Sequence, residues 1–340
     1  MALELSVIIA ALNEAASLPT LLQQLRAQRG VRLEVIVCDG GSSDATVATA
    51  EACGVRVART TRGRARQMNA GAAVAQGTYL LFLHADSRVE APALLADALA
   101  ALVGAADPTG ELVAGHFPLR FSGYPPQAEG FYRYLEGKTA LNRRYSINGD
   151  QGMLMAAESF RALGGFDERL PFLEDQRFAE RLWQQGRWLV LPGRLTTSAR
   201  RFETEGRTER YTLMALIMAM HAAGVDEFFS QAAVYAAQHE TTRLRLAPYL
   251  CLIRQILWAR RWQGTLSTLF RVGGFVRENA WQLFYWRDLR NGAGDRLPRL
   301  AFHDRWLSRR LCNPPCDALA ALLACLWFFV WLPLQPADAG

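Results

Sequence analysis

Thr78-Tyr79-Leu80-Leu81-Phe82-Leu83-His84-Ala85-Asp86 is a strand that runs into a polar stop. Six residues of strand character lead to His84, and Asp86 sits just past the last apolar position. Two earlier stretches end the same way. Leu5–Ala10 is an apolar, β-branched run followed by Ala11-Leu12-Asn13-Glu14, and Leu33–Cys38 is followed by Asp39-Gly40-Gly41-Ser42-Ser43-Asp44. Between these runs the pattern changes to a helical period. Ser17–Gln28 carries Leu18, Leu21, Leu22 and Leu25 on one face, with Ser17 as N-cap. A second helix opens at Ser43 or Asp44 and runs to about Cys53, and a third covers Arg64–Gln76. Val55–Ala58 is a short strand between them. Strands separated by helices require right-handed crossovers, which predicts an α/β fold with a mainly parallel sheet and helices on both faces.

In such a sheet the three polar strand ends share one edge, where ligands bind outside the carboxyl ends of strands. The glycines let the backbone turn tightly and approach a ligand, and Ser42, Ser43 and Asp44 can cap the next helix. Asp39 follows Val35-Ile36-Val37-Cys38 directly, so its carboxylate needs donors, which a sugar hydroxyl or a base edge supplies. No Gly-x-Gly-x-x-Gly follows the first strand, which argues against a dehydrogenase.

Further on, Leu112–Phe121 alternates like a strand, Gly123–Gly130 is a Gly/Pro loop, and Gly152–Ala157 is a strand. Glu174–Gln185 is a helix and Trp188–Leu191 a short strand. From Tyr211 onward strand signals fade. A boundary near Gly206–Arg210 divides the 340-residue chain into an α/β domain, 1–210, and a helical, basic and aromatic-rich extension, 211–340. The formal net charge is +6; residues 211–340 hold 14 basic and 9 acidic groups, so +5 of the excess lies there. Lys138 is the only lysine. The six cysteines form no paired Cys-x-x-Cys motifs, so neither a zinc site nor a disulfide framework is indicated. No basic region precedes the first apolar run, and a reducing, cytoplasmic setting is the expectation.

Together the residues resemble a known family. Val7-Ile8-Ile9-Ala10-Ala11-Leu12-Asn13-Glu14, Glu34-Val35-Ile36-Val37-Cys38-Asp39-Gly40-Gly41-Ser42-Ser43-Asp44-Ala45-Thr46 and Leu83-His84-Ala85-Asp86 look like glycosyltransferase family 2. Gly63-Arg64-Ala65-Arg66-Gln67-Met68-Asn69-Ala70-Gly71, Gly149-Asp150-Gln151-Gly152 and Thr197-Ser198-Ala199-Arg200-Arg201-Phe202 resemble the branch that includes arsenosugar-biosynthesis glycosyltransferases. The match covers roughly residues 3–206. It implies a GT-A fold and inverting transfer from a nucleotide-diphosphate sugar, taken as a UDP-sugar, to an acceptor hydroxyl.

By that resemblance Ala11, Asn13, Glu14, Asp39, Gly41, Arg64, Asn69 and Asp86 line the nucleotide-sugar site, with Glu14 and Asp39 on the nucleoside. Asp86 would hold Mg²⁺ or Mn²⁺ between the phosphates. The family's metal motif is usually Asp-x-Asp, and here its first position is His84. That histidine has three readings: a ligand for a transition metal, a phosphate contact, or a structural residue. Asp150 and Gln151 fall where the family has an acceptor or donor-sugar loop. Arg200 and Arg201 follow a strand and can clamp phosphates. Glu174-Asp175 suits the first turn of a helix, where negative charge meets the dipole. The family has a Glu-Asp pair there, which assigns Asp175 as the base that takes the acceptor's proton.

The extension mixes arginine with Trp and Tyr. Leu246, Leu250, Ile253 and Leu257 share a helical face, with Arg254, Trp258, Arg260, Arg261 and Trp262 around them. Ala318–Leu332 is a 15-residue apolar run between Asp317 and Pro333. As a helix it spans about 22 Å, short of a ~30 Å bilayer core. The pattern fits a membrane surface, at the inner face of the cell membrane, and no nucleic-acid module is present. The acceptor is then either lipid-linked or small and soluble. A nucleotidyltransferase and a non-catalytic sugar-nucleotide-binding or membrane scaffold protein are the competing classes. The first expects a Gly-rich basic loop after the opening strand, where Ala11-Leu12-Asn13-Glu14 stands.

Overall fold

The computed structural model describes residues 4–106, 110–170, 172–231, 243–292 and 296–332. Leu3, Pro171 and residues 333–340, which enter the readings above, lie outside the described residues. The chain divides into two compact units, Met1–Arg200 and Arg201–Gly340.

The first unit is built on β1 (Glu4–Ala11), β2 (Arg32–Asp39), β3 (Arg56–Arg59), β4 (Tyr79–His84), β5 (Leu112–His116), β6 (Leu119–Ser122), β7 (Met153–Ala156), β8 (Gly186–Val190) and β9 (Leu195–Ser198). Seven strands form one sheet in the order β3-β2-β1-β4-β7-β5-β8. Four of its six pairings are parallel; β7 runs antiparallel to both β4 and β5. The expected mainly parallel sheet is present. Strand β6 pairs with β9 in a separate two-stranded ribbon. The predicted single strand Leu112–Phe121 is therefore two, with Phe117-Pro118 between them. Proline has no N–H to give a ladder, so the strand breaks there and its second half finds another partner.

The helices are α1 (Leu18–Arg26), α2 (Thr46–Ala52), α3 (Arg64–Val74), α4 (Leu94–Gly104), α5 (Glu129–Thr139), α6 (Ala157–Ala162) and α7 (Glu174–Gln185). Two apolar clusters lie on either side of the sheet residues. One joins Leu5, Val7 and Ile9 of β1 to α1 and α4; the other joins Ile8, Ile36 and Phe82 to α3, α6 and α7. Alternate residues of β1 thus enter opposite clusters, as a strand covered on both faces requires. Ser17 makes no side-chain cap at α1, where a proline occupies the first turn instead.

The second unit is helical, as predicted for the extension. Its described helices include Arg207–Ala222, Ala247–Ala259, Trp262–Glu278, Trp281–Arg290 and Pro314–Leu326, the last continuing as a π-helix over Trp327–Trp331. Leu250, Ile253 and Leu257 are buried on the helix Ala247–Ala259.

Candidate active site

Parallel pairing brings the ends of β1, β2 and β4 together. Ala11 pairs with Asp39 and Ala10 with His84. Strand β7 runs the other way, with Met153 opposite Phe82, so its start lies at that same edge. The 3₁₀ turn Gly149–Gln151 just before it is thereby set beside His84.

The loops after β1 and β2 hold each other. Asn13 takes a left-handed backbone, which asparagine tolerates, and its Oδ1 accepts from the Ser43 N–H at 2.8 Å. The Asn13 N–H donates to Ser42 Oγ at 2.9 Å, and the Glu14 N–H donates to Thr46 Oγ1 at 2.7 Å. Asp44 accepts from the N–H groups of Thr46 and Ala15, so it ties the start of α2 to the first loop. Asp39 is buried and finds its donors at home: Gly41 N–H at 3.0 Å and Ser42 N–H at 3.2 Å. The expectation that a ligand must supply those donors is corrected, since the following turn supplies them. Gly41 itself has φ +91° with open space where a side chain would stand. Ala11 is buried, and its carbonyl accepts from the Gly40 N–H at 3.0 Å.

A residue without an assigned role joins these strand ends. Gln67 of α3 is buried, and its Nε2 donates to the carbonyls of Ala11 at 2.7 Å and Cys38 at 2.8 Å. A Cβ at Gly40 would stand 2.9 Å from Gln67 Cδ, so the loop rests on this side chain. The sequence carried a signal: Gln67 lies on the core face of α3 with Met68 and Gly71, where a polar residue needs a buried partner.

Asn69 is engaged within the protein. Its Nδ2 donates to the Phe166 carbonyl and to Glu168, and its Oδ1 accepts from the Phe166 N–H at 2.9 Å. It clasps the loop before α7. Gln151 is enclosed as well. It is 0% exposed, and its Nε2 donates to the Ser146 carbonyl at 2.5 Å and to Asn148 Oδ1 at 3.2 Å. A side chain enclosed in this way shapes the turn.

Helix α7 starts from Leu173, which has φ +66°. That conformation costs a non-glycine residue about 1 kcal/mol or more and aims the next two side chains. Glu174 and Asp175 follow, both buried. Asp175 Oδ2 accepts from the Gly149 N–H at 2.7 Å, and its Oδ1 accepts from the Gln176 N–H at 2.7 Å. Glu174 Oε1 lies 3.4 Å from Arg64 Nη1, an ion pair between a 1% exposed carboxylate and a 41% exposed guanidinium. Burial pushes the Glu174 carboxyl above its ordinary range; Arg64 opposes that and the Asp175 charge adds to it.

His84 Nδ1 is 2.6 Å from Asp150 Oδ1. A carboxylate oxygen only accepts, so Nδ1 carries the hydrogen. Its Nε2 is buried and has no hydrogen-bond partner among the described residues. A Cβ at Gly149 would lie 2.8 Å from His84 Nε2 and 3.3 Å from Asp175 Oδ2, so both polar atoms flank one small space. A cavity there is lined by His84, Gly149 and Asp175, with apolar walls from Met68, Phe82, Met153 and Phe166. Asp86, two residues on, is half-buried and makes no hydrogen bond or ion pair among the described residues.

Those contacts test the expected metal. Asp86 is open to a divalent cation. Asp150 engages Nδ1 of His84, which leaves Nε2, beside the small space at Gly149, as the one ring nitrogen that could meet a metal. Among the described residues no three His, Cys, Asp or Glu side chains group as a metal site. Arg200 is exposed at the end of β9, and its N–H donates to Ser198 Oγ. Arg201, also exposed, opens the second unit.

The assembled edge belongs to a known class. Residues 6–159 match the family model described as Glycosyl transferase family 2. Those residues form a domain of that family. An uncharacterized glycosyltransferase of Mycobacterium tuberculosis is 34% identical over 182 residues, covering 51% of this chain and 66% of the relative. A PGL/p-HBAD biosynthesis glycosyltransferase of Mycobacterium bovis is 34% identical over 126 residues, 35% of this chain and 48% of its own length. The chain thus spans about half to two thirds of these relatives. Among solved structures, S. aureus TarS 1-349 aligns at 16% identity and TM-score 0.48, over 86% of this chain and 93% of that one. The mannosyltransferase PcManGT from Pyrobaculum calidifontis, in complex with GDP-Man and Mn²⁺, aligns at 18% identity and TM-score 0.48, over 96% and 88%.

Proposed function

We propose that the chain is an inverting glycosyltransferase that moves a sugar from a nucleotide-diphosphate sugar, a UDP-sugar in the first instance, to an acceptor hydroxyl. The observation that carries this reading is Asp175. Its carboxylate is buried at the ligand edge of the sheet, at the first turn of α7, and two backbone N–H groups fix both oxygens. A carboxylate held in this way is a positioned proton acceptor.

In the reaction the acceptor oxygen attacks the anomeric carbon. Its proton passes to Asp175, and the bond to the diphosphate breaks with its electron pair leaving on the phosphate. The open face of Gly41 and the loop locked by Asn13, Ser42 and Asp39 form the nucleoside side, with Glu14 beside them. Arg64 and Arg200 are suited to the negative diphosphate. Asp86 would hold Mg²⁺ or Mn²⁺, whose charge would offset that of the departing diphosphate. Asp150 orients His84 at the inner wall. The acceptor is a hydroxyl on a lipid-linked or a small molecule, and the setting is cytoplasmic, at the inner face of the cell membrane.

Asp175→Asn tests this. The variant should keep nucleotide-sugar affinity, read by calorimetric titration, and lose at least about 100-fold in the rate of nucleoside diphosphate release with acceptor present. Wild-type turnover in that variant would exclude Asp175 as the base. Nucleotide-sugar binding without release under any acceptor would favour a binding protein instead.

A further inference from the structure

Of the large apolar side chains exposed on the described surface, one, Val103, belongs to the first unit, and all the others lie between Trp258 and Trp331. The helix Pro314–Trp331 is 18 residues long, apolar, and only 6% buried within the protein. A core helix would be mostly covered, and the described residues leave this one largely bare.

Its one close neighbour among the described residues is the helix Trp262–Glu278. Arg277 Nε pairs with Asp317 Oδ1 at 2.5 Å. Four residues earlier, Gly273 lies against Asp317 and Ala321, and a Cβ there would sit 2.8 Å from the Ala321 N. The contacts step down one helix as they step up the other, so the two run antiparallel. This arrangement sorts the pair by polarity. One end holds Arg277, Glu278 and Asp317. The other end of the first helix carries Trp262, Leu266 and Phe270, and the far end of the second carries Phe329, Val330 and Trp331, all exposed.

The segment leading into the apolar end adds Trp258, 91% exposed, and the exposed Arg261. No aspartate or glutamate occurs between Gln255 and Arg277 or between Ala318 and Leu332. Arginine stacks on exposed tryptophan elsewhere in this unit too, with Arg290 over Trp286 and both Arg305 and Arg310 beside Trp306. Exposed indoles interleaved with arginine match the boundary between acyl chains and anionic headgroups, and the Glu227 carboxylate beside them is paired with Arg260 at 2.8 Å.

We infer that this helix pair is a docking wedge for an anionic phospholipid bilayer, which takes the Trp262 and Trp331 ends into its headgroup–acyl boundary while the Arg277–Asp317 end faces water. Insertion is partial. Eighteen residues reach about 27 Å, under a ~30 Å hydrocarbon core, and the ion-paired Asp317 occupies the first turn. Docking of this kind deepens the proposed membrane location, and it does not depend on the chemistry at Asp175.

Flotation of the full chain with vesicles separates the outcomes. Wild type should bind phosphatidylglycerol/phosphatidylcholine vesicles, with a blue-shifted tryptophan emission, and bind phosphatidylcholine alone more weakly. The pairs Trp258→Ser/Trp262→Ser and Phe329→Ser/Trp331→Ser should each weaken binding about tenfold or more with unchanged thermal unfolding. Asp175→Asn should bind as wild type does, so a failure of the proposed catalysis leaves the docking intact and the reverse. Absence of vesicle binding, or binding that neither pair alters, overturns the wedge. So does lipid-free self-association on a sizing column that both pairs abolish, since a second copy would then be the occupant.

Discussion

At the scale of single residues, neighbours in sequence have opposite surroundings. Glu174 and Asp175 are both buried, yet two N–H groups hold Asp175 while Glu174 Oε1 has only a loose pairing with Arg64. The Glu174 carboxyl is therefore pushed up, chiefly by burial. Its folded pKa lies above its unfolded one, so the folded state binds more protons between the two values. Stability falls as pH rises through that window and stays lower above it. Glu174→Gln keeps the shape and removes the buried charge. Its melting temperature should exceed that of wild type at neutral pH, and the difference should vanish in acid, where Glu174 is protonated. Equal melting curves at neutral pH would mean that Arg64 fully offsets the burial.

At the scale of elements, the strands were legible because β1, β2 and β4 are continuous β-branched or apolar runs, and covered parallel strands have that composition. Helix α5 was not. Gly123–Gly130, with Pro125-Pro126, read as a loop, while Tyr132, Leu135 and Thr139 bury one face once the chain folds. The candidate site was legible only in part, for a related reason. Sequence spacing located the strand ends, but which polar groups would satisfy one another depended on the antiparallel β7 and on α3. Asn69 and Gln151 are bound to backbone and side chains of the protein, whereas Gln67, given no role from sequence, joins two strands. Gln67→Leu leaves the carbonyls of Ala11 and Cys38 without that donor. The loss should be about 1–3 kcal/mol of stability, measured by denaturant unfolding. Nucleotide affinity should fall with it, since the Asp39–Gly41 turn rests on this amide. Unchanged stability would show that the bridge is replaceable by water.

At the scale of the whole molecule, both apolar clusters that sandwich the seven-stranded sheet draw all their buried members from Leu5 to Leu195. The first unit therefore has a complete core of its own, and its ligand edge is assembled from β1, β2, β4, β7 and α7 within that span. Exposed apolar surface, by contrast, is concentrated in the second unit. The +5 excess of residues 211–340 falls in the same region. Folding information and surface chemistry are thus divided along the chain, which is why the composition of the sequence changes near Gly206. A fragment ending at Gly206 keeps every residue of both clusters and the whole of the helix Arg200–Glu205. It should fold cooperatively and bind a nucleoside diphosphate with Mn²⁺ at close to the affinity of the full chain, while failing to float with anionic vesicles. Circular dichroism, calorimetric titration and flotation read these outcomes separately. A fragment that unfolds, or that folds but loses the nucleotide, would mean that the second unit supports the site. Vesicle binding by the fragment would move the membrane contact into the first unit.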